Sequence, residues 1–250
     1  GANLDFNGKG SASLKLDATR NISFEGLIYD SNTSNSDDLL NVEFLAGGSV
    51  TISGTSSSSV TVNGQSISKG SIFTHGGDLK ITGTGGTANN SYGVWIVEGP
   101  QLSTGSGAMT ITGTGGTANR SHGVSIYGGV QLSSGIGGIT IEGTGTSADS
   151  KGVSLYESTI QTSGSALNIT GTSNSDRGVA LWGLLNMPKL QSDHSITISG
   201  STSNNSKYGV YLAQNSLVTA TGSANITLAC VSDGIKIDSS SSGIELGSGT

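Results

Sequence analysis

Short apolar runs recur along the chain at a regular interval, with polar, turn-forming residues between them. The segment that starts at Ile81 and reads ITGTGGTAN is repeated from Ile111, and weaker copies at spacings of 28 to 30 residues start at Ile141, Ile169, Ile198 and Leu228. Repetition at such a period is typical of solenoids, in which each repeat buries its apolar face against its neighbours. We therefore expect a stack of similar coils.

Each repeat carries three apolar runs. The first follows the leading Ile of the repeat, the second reads Gly-Val-x-aliphatic, as at 123–126, and the third centres on one aliphatic residue, such as Leu132. Alternation over so few residues, between Gly, Ser, Asn and Asp turns, indicates strands rather than helices. The sequence thus predicts an all-β, right-handed, three-faced parallel β-helix of about nine coils of 28–30 residues. The Gly that opens each second run is expected to turn a corner at positive φ.

The first 78 residues repeat less cleanly than the rest. This part predicts coils of the same β-helix with longer polar turns, from apolar runs at 22–24, 27–29, 39–44 and 50–53. The polar stretch at 30–38 predicts a protruding loop. No linker interrupts the pattern. We expect a single β-helix domain over 1–250, with irregular coils over 1–78 and regular coils over 79–250.

Composition and charge narrow the class of protein. Only 33% of residues are hydrophobic and 11% are charged, against about 25% charged in an ordinary domain, which excludes a helical bundle and an α/β nucleotide-binding fold. The formal charge is −6 and the 11 Lys and Arg residues are spread along the chain, so no basic field for nucleic acid forms. No apolar run approaches the ~18 residues of a membrane span. Cys230 is alone, so we expect no disulfide framework and no thiolate metal site. His75, His122 and His194 occupy different places in their coils, so we expect no metal site at all, and we expect no cofactor.

The repeats resemble those of one protein family. The coils read Ile-Thr-Gly-Thr and then Gly-Val-x-Leu, and they are preceded by Asn-Ile-Ser-Phe (21–24) and Val-Thr-Ile-Ser-Gly (50–54). The family is the high-molecular-weight, filamentous-haemagglutinin-like adhesins of bacterial two-partner secretion, and the resemblance covers nearly the whole chain. It implies a secreted, outer-membrane-associated surface protein that an outer-membrane secretion barrel exports and that binds host glycans, sialylated ones in the high-molecular-weight subgroup. The chain starts at Gly1 without a signal peptide or the family's secretion domain, so we expect an internal fragment.

Two outward columns beside the second run of each coil are candidates for glycan binding. Strand alternation places Tyr127, Tyr156 and Trp182 outside as an exposed ladder, whose rings would stack on sugars. The preceding turn carries cations, with a His and a Tyr beside them, that would attract a carboxylate such as that of sialic acid: Arg120, Lys151, Arg177, Lys207, His122 and Tyr208. Such ladders also stabilise coil edges, with Asp149 and Asp176 neutralising the cations, and both interpretations stay open. The columns lie ~15–17 Å apart along a strand, so we expect a tri- or tetrasaccharide that lies along the strand.

Three other functions fit parts of the pattern. Outward Thr columns on the first run resemble those of ice-binding proteins, but Lys80 and Glu142 interrupt the plane. Many parallel β-helices degrade polysaccharides, yet Glu98 and Glu157 stand two coils apart, at ~9.6 Å, which is at or beyond the ~9.5 Å limit of an inverting pair. We expect no catalytic residue and no enzyme. An inert structural stalk of a large exoprotein remains the main alternative to an adhesin.

Seven Asn-x-Ser/Thr sequons occur, and a chain so rich in these residues produces many by chance. Turns lie at the surface, so the sequons in turns are the most accessible. These glycosylation candidates are Asn32, Asn89, Asn119 and Asn204.

Overall fold

The computed structural model describes residues 3–6, 10–29, 39–54, 59–62, 65–184, 188–213, 216–231, 234–238 and 243–246. These ranges contain strands and turns, and no helix in them is long and apolar enough to cross a membrane. The strands, numbered in chain order, form three large sheets. Sheet 1 holds β1 (Asn3–Asp5), β4 (Leu27–Tyr29), β9 (Ile72–Phe73), β12 (Gln101–Ser103), β15 (Gln131–Ser134), β18 (Thr159–Thr162), β21 (Lys189–Ser192), β24 (Leu217–Ala220) and β27 (Gly243–Leu246). Sheet 2 holds β2 (Ala12–Ala18), β5 (Leu40–Ala46), β10 (Leu79–Thr84), β13 (Met109–Thr114), β16 (Ile139–Gly145), β19 (Leu167–Ser173), β22 (Ile196–Thr202) and β25 (Ile226–Cys230). Sheet 3 holds β3 (Ile22–Phe24), β6 (Val50–Ser53), β11 (Val94–Val97), β14 (Val124–Tyr127), β17 (Val153–Tyr156), β20 (Val179–Trp182), β23 (Val210–Leu212) and β26 (Ile235–Ile237).

The chain visits sheets 1, 2 and 3 in turn, and neighbouring strands within each sheet are parallel. This arrangement confirms the three-faced parallel β-helix. The sheets contain nine, eight and eight described strands, which amount to eight complete turns rather than the nine coils expected. The right-handed winding stays a prediction.

An antiparallel hairpin explains the lower coil count. β7 (Ser59–Val62) pairs with β8 (Gln65–Ser68) outside the three sheets, so the chain between β6 and β9 adds no turn to the solenoid. Two short alternating runs on either side of an Asn-Gly pair predict a hairpin. The prediction of irregular coils over this region did not take that pattern into account. The loop expected at residues 30–38 lies outside the described residues.

Apolar side chains form columns along the axis of the solenoid. Ile81 pairs with Ile111, which pairs with Ile141, and on sheet 3 Val94 pairs with Val124. All five are buried completely. Burial of one such side chain contributes about 1.5–3 kcal/mol, so each coil gains stability only by stacking on the next. The predicted repeat spacing and the inward columns are confirmed.

The Gly that opens each second run is required by close packing and not by its φ angle. Gly93, Gly123 and Gly152 do not have positive φ, so that expectation was wrong. A Cβ on Gly123 would meet the backbone nitrogen of Thr144 and, at 2.7 Å, the oxygen of Gly152. Adjacent coils approach each other so closely at this corner that no side chain fits.

Candidate functional site

Two adjoining hollows form one groove on the outer face of sheet 3. The larger has a volume of about 510 Å³ and lies over the coils of β11, β14 and β17, and the smaller, of about 270 Å³, lies over those of β20 and β23. Lys151 and Trp182 line both hollows, and the Lys151 Nζ atom lies 6.0 Å from the centre of the Trp182 ring. This pair divides the groove into a large compartment and a small compartment.

The groove exists because one outward row of sheet 3 has side chains of uneven size. In coil order the row runs Trp95, Ser125, Ser154, Ala180 and Tyr211, all paired in register. The three small residues in the middle form the floor, and the two large rings stand at its ends. The sequence shows these small residues at the variable position of their Gly-Val-x-aliphatic runs. They were not predicted to belong to a site.

The two ends of the predicted aromatic column, Tyr127 and Trp182, form one wall of the groove. Tyr127, Tyr156 and Trp182 pair in register, and both neighbouring pairs of rings lie 4.6 Å apart between centroids. Tyr127 and Trp182 are 45% and 36% exposed, but Tyr156 is only 7% exposed, because the flanking rings cover it. The prediction of an exposed ladder was therefore wrong for its middle ring. The Trp182 Nε1–H donates to Ser154 Oγ at 3.2 Å, which holds the indole against the floor.

The opposite wall is the turn before each sheet 3 strand, and its cations do not form one column. Backbone hydrogen bonds place His122, Lys151 and Arg177 at equivalent positions, two residues before their strands. Arg120 lies four residues before its strand, in a left-handed conformation (φ 60°) that Asp149 shares in the next coil (φ 54°). The expected single cation column was thus wrong, since the turns differ in where they place their charges. Counting back from the first Val of each strand would have separated Arg120 from Lys151.

Asp176 joins two of the cations. Its carboxylate oxygens lie 2.9 Å from Lys151 Nζ and 3.0 Å from Arg177 Nη1, and the residue is only 6% exposed. Burial alone would raise the pKa of Asp176, but the charges of Lys151, Arg177 and Lys207 outweigh it, so this pKa lies below its usual value. The carboxylate is ionised at neutral pH and neutralises its partners, as the sequence had left open. We call Lys151, Asp176 and Arg177 the ion triad.

His122 is an uncharged residue of the large compartment. The Lys151 backbone N–H donates to its Nδ1 atom at 3.0 Å, and the ring centre of Tyr92 lies 5.4 Å from that of the imidazole. Burial, and then the charge of Lys151, lowers the pKa of His122 to about 3. Because Nδ1 accepts a hydrogen bond, the neutral ring carries its proton on Nε2. His122 therefore offers a ligand a hydrogen bond and no charge.

Side chains from the two walls meet above the floor. Lys151 of the turn wall reaches Trp182 of the aromatic wall, and the Arg177 guanidinium carbon lies 4.3 Å from the centre of the Tyr211 ring, at the end of the floor row. The expected wall separation of ~15–17 Å was wrong for these side chains, because long side chains lean toward each other over small floor residues. At the Lys151–Trp182 pair the two walls are 6.0 Å apart, measured from the Nζ atom to the ring centre.

Three of the predicted binding residues do not line the groove: the covered Tyr156, Lys207 and Tyr208. Lys207 and Tyr208 precede β23 and line neither compartment. The Tyr208 ring lies 6.3 Å from that of Tyr211, and Lys236 Nζ lies 5.6 Å from the Tyr208 ring. Tyr208, Tyr211 and Lys236 form a cluster of two rings and a cation that adjoins the small compartment, which Tyr211 also lines.

The three described glycosylation candidates differ in accessibility. Asn89 and Asn119 are exposed in the turns of adjacent coils. Asn204 is half-buried, and its side chain donates to the Ser175 carbonyl at 2.7 Å and accepts from the Ser206 N–H at 3.0 Å. Asn204 is therefore less available than the other two, and Asn32 lies outside the described residues.

The two acidic residues considered for catalysis form hydrogen bonds with different partners. Glu98 accepts a hydrogen bond from Ser53 Oγ at 3.3 Å, and Glu157 accepts one from the Leu184 N–H at 3.2 Å. Across the described ranges, no three His, Cys, Asp or Glu side chains lie close enough together to hold a metal ion. The expectation that the chain is not an enzyme stays a prediction.

Comparisons of the chain with protein families, with curated proteins and with solved structures each found no match. The fold and the groove therefore carry the functional argument by themselves. A three-sheet parallel β-solenoid is compatible with a structural stalk and with an adhesin. The groove adds aromatic rings, a neutral imidazole and an ion triad on one of its faces.

Proposed function

We propose that the chain is a glycan-binding section of a secreted or cell-surface bacterial adhesin, and that the groove on sheet 3 is its binding site. One observation carries the proposal: Trp182 stands over a hollow floor with a charged side chain, Lys151, 6.0 Å from its ring. A sugar has an apolar C–H face and a rim of hydroxyls. Such a ring is recognised by an aromatic face with hydrogen-bonding groups beside it.

The size and polarity of the groove also suit a carbohydrate. Its compartments, of about 510 and 270 Å³, fall near the lower part of the ~300–1,000 Å³ range of small-molecule sites. Both compartments are open and charged, which favours weak binding at each site, in the millimolar to high micromolar range or about −4 to −6 kcal/mol. Many copies on one cell would then supply tight adhesion.

The resemblance to high-molecular-weight adhesins supports three further parts of the proposal. The ligand is a host glycan that carries sialic acid, whose carboxylate the cations of the groove attract. A barrel partner exports the whole protein across the outer membrane to the cell surface. The section binds its ligand without chemical conversion.

A glycan array probed with the purified chain and with the Trp182→Ala variant tests the proposal. Loss of the stacking surface is expected to weaken binding of the preferred oligosaccharides about fivefold, since a ring of this kind contributes on the order of 1 kcal/mol to binding. Trp182→Phe keeps a stacking face and should retain most of the binding. Lys189→Gln, on exposed sheet 1, is the matched surface control and should bind as the parent does.

An array on which the parent binds no glycan would overturn the proposal and leave the stalk function. Equal binding by the parent and Trp182→Ala would move the site away from the groove. Release of reducing or unsaturated ends from acidic polysaccharides at enzymatic rates would show that the chain is a β-helix enzyme instead.

A further inference from the structure

The cations of the groove differ in what they offer a ligand. Lys151 and Arg177 share one carboxylate, that of Asp176, at 2.9 and 3.0 Å, and Asp176 is almost completely buried. A ligand carboxylate placed here would lie next to a fixed negative charge. The ion triad keeps one net positive charge, but both of its cations already bond Asp176, and the Asp176 oxygens would repel a ligand carboxylate beside them.

Arg120 is the cation that remains for an acidic group. It is exposed, it lines the large compartment, and it forms no ion pair with any residue that the structure describes. Asp149 occupies the same turn position in the next coil, yet the two side chains do not form a salt bridge. Arg120 lies at the end of the groove where Tyr92 and the neutral His122 stand. Among the described residues of that wall, it is the cation at this end.

The other end of the groove is built for an uncharged sugar ring. Trp182 and Tyr211 line the small compartment, and the Arg177 guanidinium is stacked 4.3 Å from the Tyr211 ring centre. Asp176 accepts hydrogen bonds and Lys151 donates them, which matches the hydroxyls of a neutral sugar. Arg120 and Tyr211 lie on coils three strand spacings apart, or ~14 Å along the axis of the solenoid.

Building on the proposed function, we infer that the groove binds an oligosaccharide across the strands, parallel to the solenoid axis. Its single acidic residue contacts Arg120, and its neutral residues lie over Trp182 and Tyr211. This direction differs from the strand-parallel ligand that the sequence predicted, because the two compartments follow one another from coil to coil. Arg120 thus determines selectivity for the acid, and the ion triad with the two rings supplies binding that is independent of it.

Calorimetric titration with sialyllactose, and with sialyllactose whose carboxyl is reduced to an alcohol, tests this assignment. The parent is expected to prefer the acid about five- to tenfold, the range for one charge-assisted bidentate contact that is partly exposed. Arg120→Gln should bind both probes equally, with the affinity that the parent has for the reduced probe. Arg177→Gln should weaken both probes by the same factor and keep the preference. Arg20→Gln, in the equivalent turn of the first coil, is the matched control and should behave as the parent does.

The two Trp residues report the direction of the ligand. Trp95 stands beside Tyr92, with ring centres 5.3 Å apart, and Trp182 stands between the compartments. A nitroxide on the glucose end of sialyllactose is expected to broaden the Trp182 indole N–H signal more than that of Trp95. The reverse order, or a preference that survives Arg120→Gln and disappears in Arg177→Gln, would overturn the inference. A parent that binds neither probe, nor any array glycan, would instead overturn the proposed function itself.

Discussion

The outer faces of sheets 2 and 3 have the same period and the same parallel pairing, yet they differ in shape. Sheet 2 presents an even face, covered by side chains of similar size, and sheet 3 presents a hollow face, which contains the groove. On sheet 2 the outward row repeats polar residues of moderate size from coil to coil: Thr110, Thr140, Asn168, Thr197 and Thr227. On sheet 3 the corresponding row changes from Trp95 to Ser125 and back to Tyr211. The difference lies in the outward residues, since each face rests on its own unbroken buried column, such as Ile111 and Ile141 on sheet 2 and Val124 and Val153 on sheet 3.

This difference shows how a solenoid acquires a site. A strictly repeated side chain covers the surface uniformly, because each copy packs against identical neighbours. A local departure to small residues over three coils removes that cover, and the long side chains on either side then meet over the hollow. The binding surface is therefore a break in the repetition, and two of the three predictions below use the even face as the reference for it.

The largest effect expected concerns the half-buried imidazole of the hollow face, His122. The pKa of His122 is about 3 in the folded chain and 6.5 in the unfolded one. Between these values only the unfolded chain takes up the proton, so the free energy of unfolding falls as the pH falls, by about 1.4 kcal/mol per pH unit at most. Urea unfolding between pH 7 and pH 4 should show that His122→Gln removes about 2–3 kcal/mol of this loss.

The exposed His194 is the control for this measurement, because His194→Gln removes an imidazole that is not enclosed. Equal pH slopes for the parent and His122→Gln would contradict the burial of His122. Asp176 acts in a lower window: its pKa is depressed, so its stabilising contribution is present above the usual carboxyl pKa of 3.8 and is lost as the pH falls below it. Measurements down to pH 4 therefore isolate the His122 contribution.

The second prediction converts the hollow face into an even one. Ser125→Tyr places a ring beside Trp95 in the same row, where the backbone already accepts large side chains. The ring should fill the large compartment and weaken binding of the sialylated oligosaccharide at least about tenfold, or ~1.4 kcal/mol. Thr112→Tyr puts the same ring on sheet 2 of the same coil. Undiminished binding by Ser125→Tyr, measured by calorimetry, would show that the hollow is not the site.

The smallest effect is expected on the even face. Thr140→Ala removes one hydroxyl from the outward row of sheet 2, and a surface substitution of this kind changes the free energy of unfolding by about 0.5 kcal/mol or less. Glycan binding should not change. The parent should not shape ice crystals, because Lys80 and Glu142 put charges in the Thr plane. Ice shaping that Thr140→Ala abolished would assign the function to sheet 2.

The sequence predicted the coil, the three faces and the inward columns because each is a local, repeated pattern that only one stacking satisfies. It also predicted that Tyr127, Tyr156 and Trp182 would form a column. It overestimated the coil count by reading the hairpin as solenoid. These successes and this error have one origin, which is that periodicity determines register but does not say which runs join the sheets.

Only the tertiary structure decided how the outward side chains use the space that the register gives them. Lys151 leans over the floor to within 6.0 Å of the Trp182 ring centre, a contact that the repeat pattern does not contain. The same structure buries Tyr156 between two rings and places Asp176 between two cations. Contacts of this kind depend on the size of side chains in neighbouring coils, about 29 residues away in the chain, and on the direction that each rotamer takes. A repeat pattern carries neither quantity, and for that reason the groove became visible only in three dimensions.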